Sequence, residues 1–180
     1  YVRDVMKDAD LASLVARHQT EAARTLDPVP GIDLAVYGRD LRARFENPAI
    51  AHQTYQIAMD GTQKLPQRLL EPATVALRRG LPLDAYAFAV AAWMRYVRGM
   101  SESGETYALR DPREAEMKAL VDGVSDAASI VDRLFDLPGL FPAELTASPQ
   151  WNAAVRRRLE TMLAKSMRAA IAEEAESCRA

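Results

Sequence analysis

Lys64 follows Asp60-Gly61-Thr62-Gln63, so a cation projects from the first turn of a helix that a glycine break has just opened. A helix start favours negative charge, because its first N–H groups have no intrahelical acceptor. A lysine there is expected to pair with Asp60 or to meet a ligand oxygen. Arg44 and Asn47, flanking Phe45, add a fixed fork of donors and an amide that both donates and accepts. Gln56 precedes Lys64 by eight residues, about two helical turns if the Asp60-Gly61 break did not intervene. Arg44, Asn47, Gln56, Asp60 and Lys64 are therefore the candidate binding residues, suited to an oxygen-rich ligand. Plainer uses compete with this one. Lys64 could be solvated or locally paired, and Asn47 could close a helix ahead of Pro48.

Other chemistries lack their residues. No GxGxxG follows a strand and no GxxxxGK[ST] occurs, so the eight scattered glycines build no dinucleotide or phosphate loop. There is no GxSxG elbow, and Cys178 has no histidine near it in sequence for nucleophilic catalysis. His18 and His52 stand apart without cysteines, so no metal is expected. Glu114 and Glu116 sit where a helix opening favours negative charge, which is a structural use. A net charge of -2 gives no reason to expect nucleic acid or an anionic membrane as partner. One cysteine forms no internal disulfide, which points to a reducing, cytoplasmic setting. The apolar window Ala85 to Trp93 is too short to span a bilayer. No signal peptide is visible, and the chain starts with Tyr1, which suggests a piece of a longer polypeptide.

The elements that must position these residues read as helices throughout. A chain of 180 residues can bury roughly 70% of its unfolded surface, enough for one all-α domain over residues 1–180. Leu11, Leu14 and Val15, with His18 half-buried on the same stripe, mark a first helix after Asp8 or Asp10, ended by Pro28-Val29-Pro30-Gly31. Asp33 caps a second, with Leu34, Tyr37, Leu41 and Phe45 inward and Arg39, Asp40 and Arg42 outward. Residues 50 to 59 form a short helix anchored by Ile50, Tyr55, Ile57 and Met59. Thr62 caps the next, which holds Pro66 in its first turn, kinks or restarts at Pro72 and stops at Gly80. Leu83 to about Arg98 is apolar nearly all round and is the central helix. Gly99 to Arg110 is a loop. Asp111-Pro112 opens a short helix to Val121, and Ser125 or Asp126 starts another. Leu137 to Pro142 is an apolar turn. Ser148-Pro149 starts a last helix that carries Trp151, Val155, Leu159, Met162, Leu163 and Ile171 and ends in a solvated Glu173-Glu174-Ala175-Glu176. That makes seven or eight helices and no strand.

On Gly31-Ile32-Asp33-Leu34, Tyr37-Gly38-Arg39-Asp40-Leu41, Arg44 to Pro48 and Gln56 to Arg68, the chain strongly resembles the C-terminal domain of the long-chain mannitol dehydrogenase family. Ala91-Ala92-Trp93-Met94-Arg95-Tyr96 and Arg110-Asp111-Pro112 extend the match over most of the chain. The family includes mannitol 2-dehydrogenases, arabinitol dehydrogenases and fructuronate reductases (mannonate oxidoreductases). The resemblance implies a metal-independent, NAD- or NADP-dependent secondary-alcohol dehydrogenase. It would have an N-terminal Rossmann domain and a helical substrate domain similar to that of 6-phosphogluconate dehydrogenase. Hydride would pass between the nicotinamide and a secondary carbon of a polyol or sugar acid.

The family's proton-transfer lysine lies in Lys-x4-Asn-x2-His. After Lys7 the required positions hold Ala12 and Val15, and after Lys64 they hold Leu69 and Pro72, so the constellation is absent. The catalytic residues and the Rossmann domain are expected upstream of Tyr1, which would leave residues 1–180 inactive alone. The resemblance makes Lys64 the substrate-contacting lysine, oriented by Asp60. Gln56 stands where some polyol-oxidising relatives carry Arg, and Thr62 where Ser is commoner. The alternative is a freestanding helical binding module without catalysis, favoured by the missing cofactor motif and catalytic lysine.

Overall fold

The computed structural model of the chain describes residues 1–178. Among these the regular elements are helical, apart from one isolated bridge between Met100 and Thr106. The all-α expectation holds. The chain divides into two compact units, one made of Tyr1–Ala58 with the residues from Ile171 onward, the other of Met59–Ala170.

The first unit contains α1 (Val2–Val5), α2 (Ala9–Thr25), α3 (Leu34–Glu46) and α4 (Thr54–Ala58). Asp8 caps α2 by accepting from the Asp10 and Leu11 amides, each at 3.1 Å. Asp33 caps α3 through the Ala35 and Val36 amides at 2.8 and 3.0 Å. These bonds serve backbone donors that the helix itself cannot. The expected inner face of α3 is not sealed. No residue of α3 is buried, and Tyr37 is 55% exposed. Arg42, expected to face out, instead donates to Gln19 Oε1 at 2.7 Å, joining α3 to α2. The helix expected over residues 50 to 59 contracts to α4, and Ile50 and Ile57, expected as anchors, are exposed. Glu174, expected in a solvated tail, is buried and meets Arg17 at 3.2 Å, while Arg17 Nε also donates to Glu21 at 2.8 Å. A buried carboxylate needs such a partner. His18 is half-buried, and its burial pushes its pKa down despite the opposing charge of Glu21.

The second unit holds α5 (Gly61–Leu65), a π turn (Pro66–Leu70), α6 (Glu71–Arg78), α7 (Asp84–Val97), α8 (Glu114–Val121), α9 (Ala127–Phe135), α10 (Ala143–Thr146) and α11 (Pro149–Ala164). α7 is central as expected: Tyr86, Ala87, Val90, Ala91, Met94 and Val97 are fully buried. α11 lies along it and contributes Trp151, Val155, Leu159 and Met162. α9 adds Ile130, Val131 and Leu134. Asp126 caps α9 through the Ser129 amide at 2.8 Å, and Ser148 caps α11 through the Trp151 amide at 3.3 Å.

One helix keeps its expected course and one departs from it. The α-helix restarts as α6 at Glu71, with Pro72 in its first turn as expected. The chain widens into the π turn just before it, where the Glu71 amide donates to the Pro66 carbonyl. Proline cannot donate, and its ring crowds the carbonyl four residues back, here that of Arg68; a wider turn relieves both problems. The last helix does not run through to Ile171. It stops at Ala164, Lys165 is extended, and α12 (Met167–Ser177) follows. Glu102 accepts from the Met167 amide and so caps the restart with a side chain distant in sequence. The described residues thus contain more helices than the seven or eight expected, because four- and five-residue helices such as α1 and α10 show no periodicity.

Candidate functional site

Lys64 stands on α5, a five-residue helix with a half-buried lysine side chain. The turn before it differs from expectation. The left-handed residue is Asp60 (φ 55, ψ 36), not Gly61. Aspartate is among the few residues that tolerate this conformation. Gly61 opens α5, and its missing side chain answers a different need. A Cβ there would lie 2.5 Å from Trp93 Nε1 on the central helix. Trp93 is in turn held edge-on by Phe141, with ring centroids 6.2 Å apart. Glycine is required here by the close approach of a backbone to an indole.

Thr62 is not a free helix cap. It is buried, its amide donates to Asp111 Oδ2 at 2.8 Å, and its hydroxyl donates to Asp111 Oδ1 at 2.6 Å. Asp111 also accepts from the Arg113 amide at 2.9 Å, so its carboxylate serves both α5 and the approach to α8. One residue away, the Asp60 amide donates to the Arg110 carbonyl at 3.2 Å. Arg110 (φ 52) is left-handed too, and its amide donates to Glu114 Oε2 at 3.1 Å.

Lys64 Nζ donates to the Met59 carbonyl oxygen at 2.6 Å. That partner is a neutral backbone oxygen five residues back. The Asp60 carbonyl accepts from the Gln63 and Lys64 amides at 3.0 and 3.1 Å. Asp60 and Lys64 are thus brought together in one turn. Arg44, Asn47 and Gln56 belong to the first unit. Arg44 is exposed in the last turn of α3. Asn47 spends its side chain locally, with Oδ1 accepting from the Ala49 amide at 2.9 Å, and its own amide donates to the Arg44 carbonyl at 3.3 Å. That is the structural use weighed for it. Gln56 is exposed on α4.

Sequence reasoning missed Asp111, Trp93 and the Met59 carbonyl as parts of this arrangement. Asp111 was legible only as a helix opener, and nothing in local spacing links it to Thr62, 49 residues away. Among the described residues no group of three or more His, Cys, Asp or Glu gathers to hold a metal ion, and no helix is long and apolar enough to cross a membrane.

A helical chain with a lysine aimed from a turn of this kind has a family. A model of the mannitol dehydrogenase C-terminal domain matches residues 1–163, and the chain belongs to that family. It is 38% identical over 152 residues to D-mannonate oxidoreductase of Escherichia coli (strain K12), covering 84% of this chain and 31% of that protein. It is 27% identical over 176 residues to mannitol 2-dehydrogenase of Phaeosphaeria nodorum (strain SN15), covering 97% of this chain and 30% of that protein. Among solved structures it resembles Pseudomonas fluorescens mannitol 2-dehydrogenase in ternary complex with NAD and D-mannitol. The TM-score there is 0.86 at 30% identity, over 98% of this chain and 35% of that one. The chain spans about a third of the length of the curated relatives it matches.

Proposed function

We propose that residues 1–180 are the substrate-binding portion of a cytoplasmic, NAD- or NADP-dependent oxidoreductase. It would interconvert a secondary alcohol and a ketone on a polyol or sugar acid, of the mannitol/fructose or mannonate/fructuronate type. The observation that carries this is Lys64, held on the Asp60-Gly61 turn in a chain whose family and relatives act under those names. An ammonium offers three donors to hydroxyl or carboxylate oxygens. Gln56, Asp60, Arg44 and Asn47 are proposed as further substrate contacts.

In this reading NAD or NADP is bound mainly by an N-terminal domain outside residues 1–180. No strand–glycine-turn–helix unit occurs among the described residues. The cofactor and the proton-transfer lysine are assigned to a Rossmann domain outside residues 1–180, the chain's partner in the complete polypeptide. Within this reading the chain binds and orients, and the chemical step lies elsewhere.

Lys64→Ala in the complete polypeptide is expected to raise KM for mannitol or mannonate by about a hundredfold, the loss of a charged contact. Steady-state kinetics with each substrate measure it. Unchanged kinetics on every accepted substrate would overturn the role of Lys64.

A further inference from the structure

We infer that Asp111 is a positioning residue for Lys64: its carboxylate fixes the start of α5 and with it the direction in which the lysine leaves the chain. This deepens the proposed function and rests on the reading that Lys64 meets the substrate.

α5 has five residues, too few to hold a helix by their own hydrogen bonds. It also lacks a local cap, since Asp60 makes no side-chain bond to its first amides. Asp111 supplies the missing acceptor from 49 residues away and takes both the amide and the hydroxyl of Thr62. A carboxylate at a helix start is also the favoured charge. The second strand of this lacing is the Asp60 amide on the Arg110 carbonyl. Asp60 and Arg110 are the two non-glycine residues with positive φ among those described, and they face each other across that bond. Such conformations persist where the surroundings over-determine them, and they gather at working sites. Trp93 packs against Gly61 beside the same carboxylate: a Cβ on Gly61 would lie 2.5 Å from Trp93 Nε1 and 3.6 Å from Asp111 Oδ2.

The start of α5 is therefore held by Asp111, by the Arg110 carbonyl and by the contact with Trp93, and Lys64 lies in the same turn. Thr62 and Lys64 share that turn, and the Lys64 amide returns to the Asp60 carbonyl. Asp111 touches neither Lys64 nor any group in the proposed chemistry; its effect passes through Thr62. A plain loop anchor would hold residues 99–113 in place and leave Lys64 indifferent.

Three variants separate these roles. Asp111→Asn removes the charge and one acceptor at constant shape. Thr62→Val removes the hydroxyl, and Thr62→Ser keeps it. In the 180-residue chain, the NMR signal of Lys64 Cε and the exchange of the Thr62 amide are read beside thermal unfolding. In the complete polypeptide, KM and kcat are read with mannitol and mannonate. Asp111→Asn and Thr62→Val are expected to displace the Lys64 signal, speed Thr62 exchange and raise KM about tenfold, with kcat within about twofold. Thr62→Ser should stay close to the unmodified chain. Lys64 signals unchanged in both disruptive variants would overturn the inference, even if Thr62 exchange quickens. If Asp111→Asn fails to fold, the Thr62→Val and Thr62→Ser pair decides. A displaced Lys64 signal with KM unchanged supports the positioning role and counts against the substrate reading, which Lys64→Ala tests separately.

Discussion

Within residues 1–58 the buried side chains are Met6, Glu21 and Thr25, whereas the second unit buries Trp151, Tyr86, Leu70, Met94, Leu134 and Leu159 almost completely. The large apolar residues left exposed divide the other way. Leu26, Val29, Ile32, Val36, Tyr37, Ile50 and Ile57 all lie in the first unit. The first unit is held by caps and charged contacts such as Asp8, Asp33 and Arg17 with Glu21 and Glu174. The second is held by close packing around α7. Lys64 stands on the packed side, between the buried residues Thr62 and Leu65. A binding group gains from that placement, because a contact held by a dense core needs less ordering when ligand arrives.

The contrast can be broken most directly in the core. Leu134→Ala is expected to destabilise by about 2–5 kcal/mol, as methylenes are lost and a cavity remains. Urea unfolding measures it, and a loss below about 1 kcal/mol would mean that the second unit is not packed as tightly as its burial suggests. Gly61→Ala should cost about 1–3 kcal/mol, because the new methyl would lie 2.5 Å from Trp93 Nε1 and the indole or the backbone must shift to admit it. The same unfolding measurement applies, and an unaltered midpoint would show that the junction yields.

The first unit should answer to pH instead. His18 is held below its ordinary value of 6.5 by burial. The unfolded chain therefore binds this proton at a higher pH than the native one. Stability from neutral His18 is full above about pH 6.5 and declines as pH falls below it, levelling off once native His18 also protonates. Unfolding midpoints of the unmodified chain and of His18→Gln should diverge in slope over that window, and parallel curves would remove the effect. Smallest of all, Tyr37→Ser is expected to shift stability by less than about 0.5 kcal/mol, since a half-open ring has little burial to lose.

What could be read from sequence was local. Asp33, Asp126 and Ser148 are caps because the donors they serve lie two or three residues on. α7 was legible because its apolar residues surround one short stretch. Tyr37 misled because periodicity names a face without naming what covers it. Glu174 looked solvated within a run of acidic residues; its partner Arg17 is 157 residues away. The break at Lys165 has neither glycine nor proline to announce it. At the candidate site, the lysine and its turn were visible. Thr62 with Asp111 and Gly61 with Trp93 were not, since each is a contact between distant segments.

The π turn at Pro66–Leu70 has a consequence for how this chain can change. An α-helix advances about 100° per residue, and a π turn absorbs an extra residue without lengthening the rod in proportion. Lys64 upstream is therefore set at an angle to Leu70, Ala73 and Ala76 downstream that an uninterrupted α count of the same residues would not give. Losing one residue between 66 and 69 would restore the regular count, and because the wide turn already absorbs that residue, Lys64 would keep nearly its present direction relative to Leu70, Ala73 and Ala76. The turn is slack in the chain: it can give up a residue without turning the lysine away from its site.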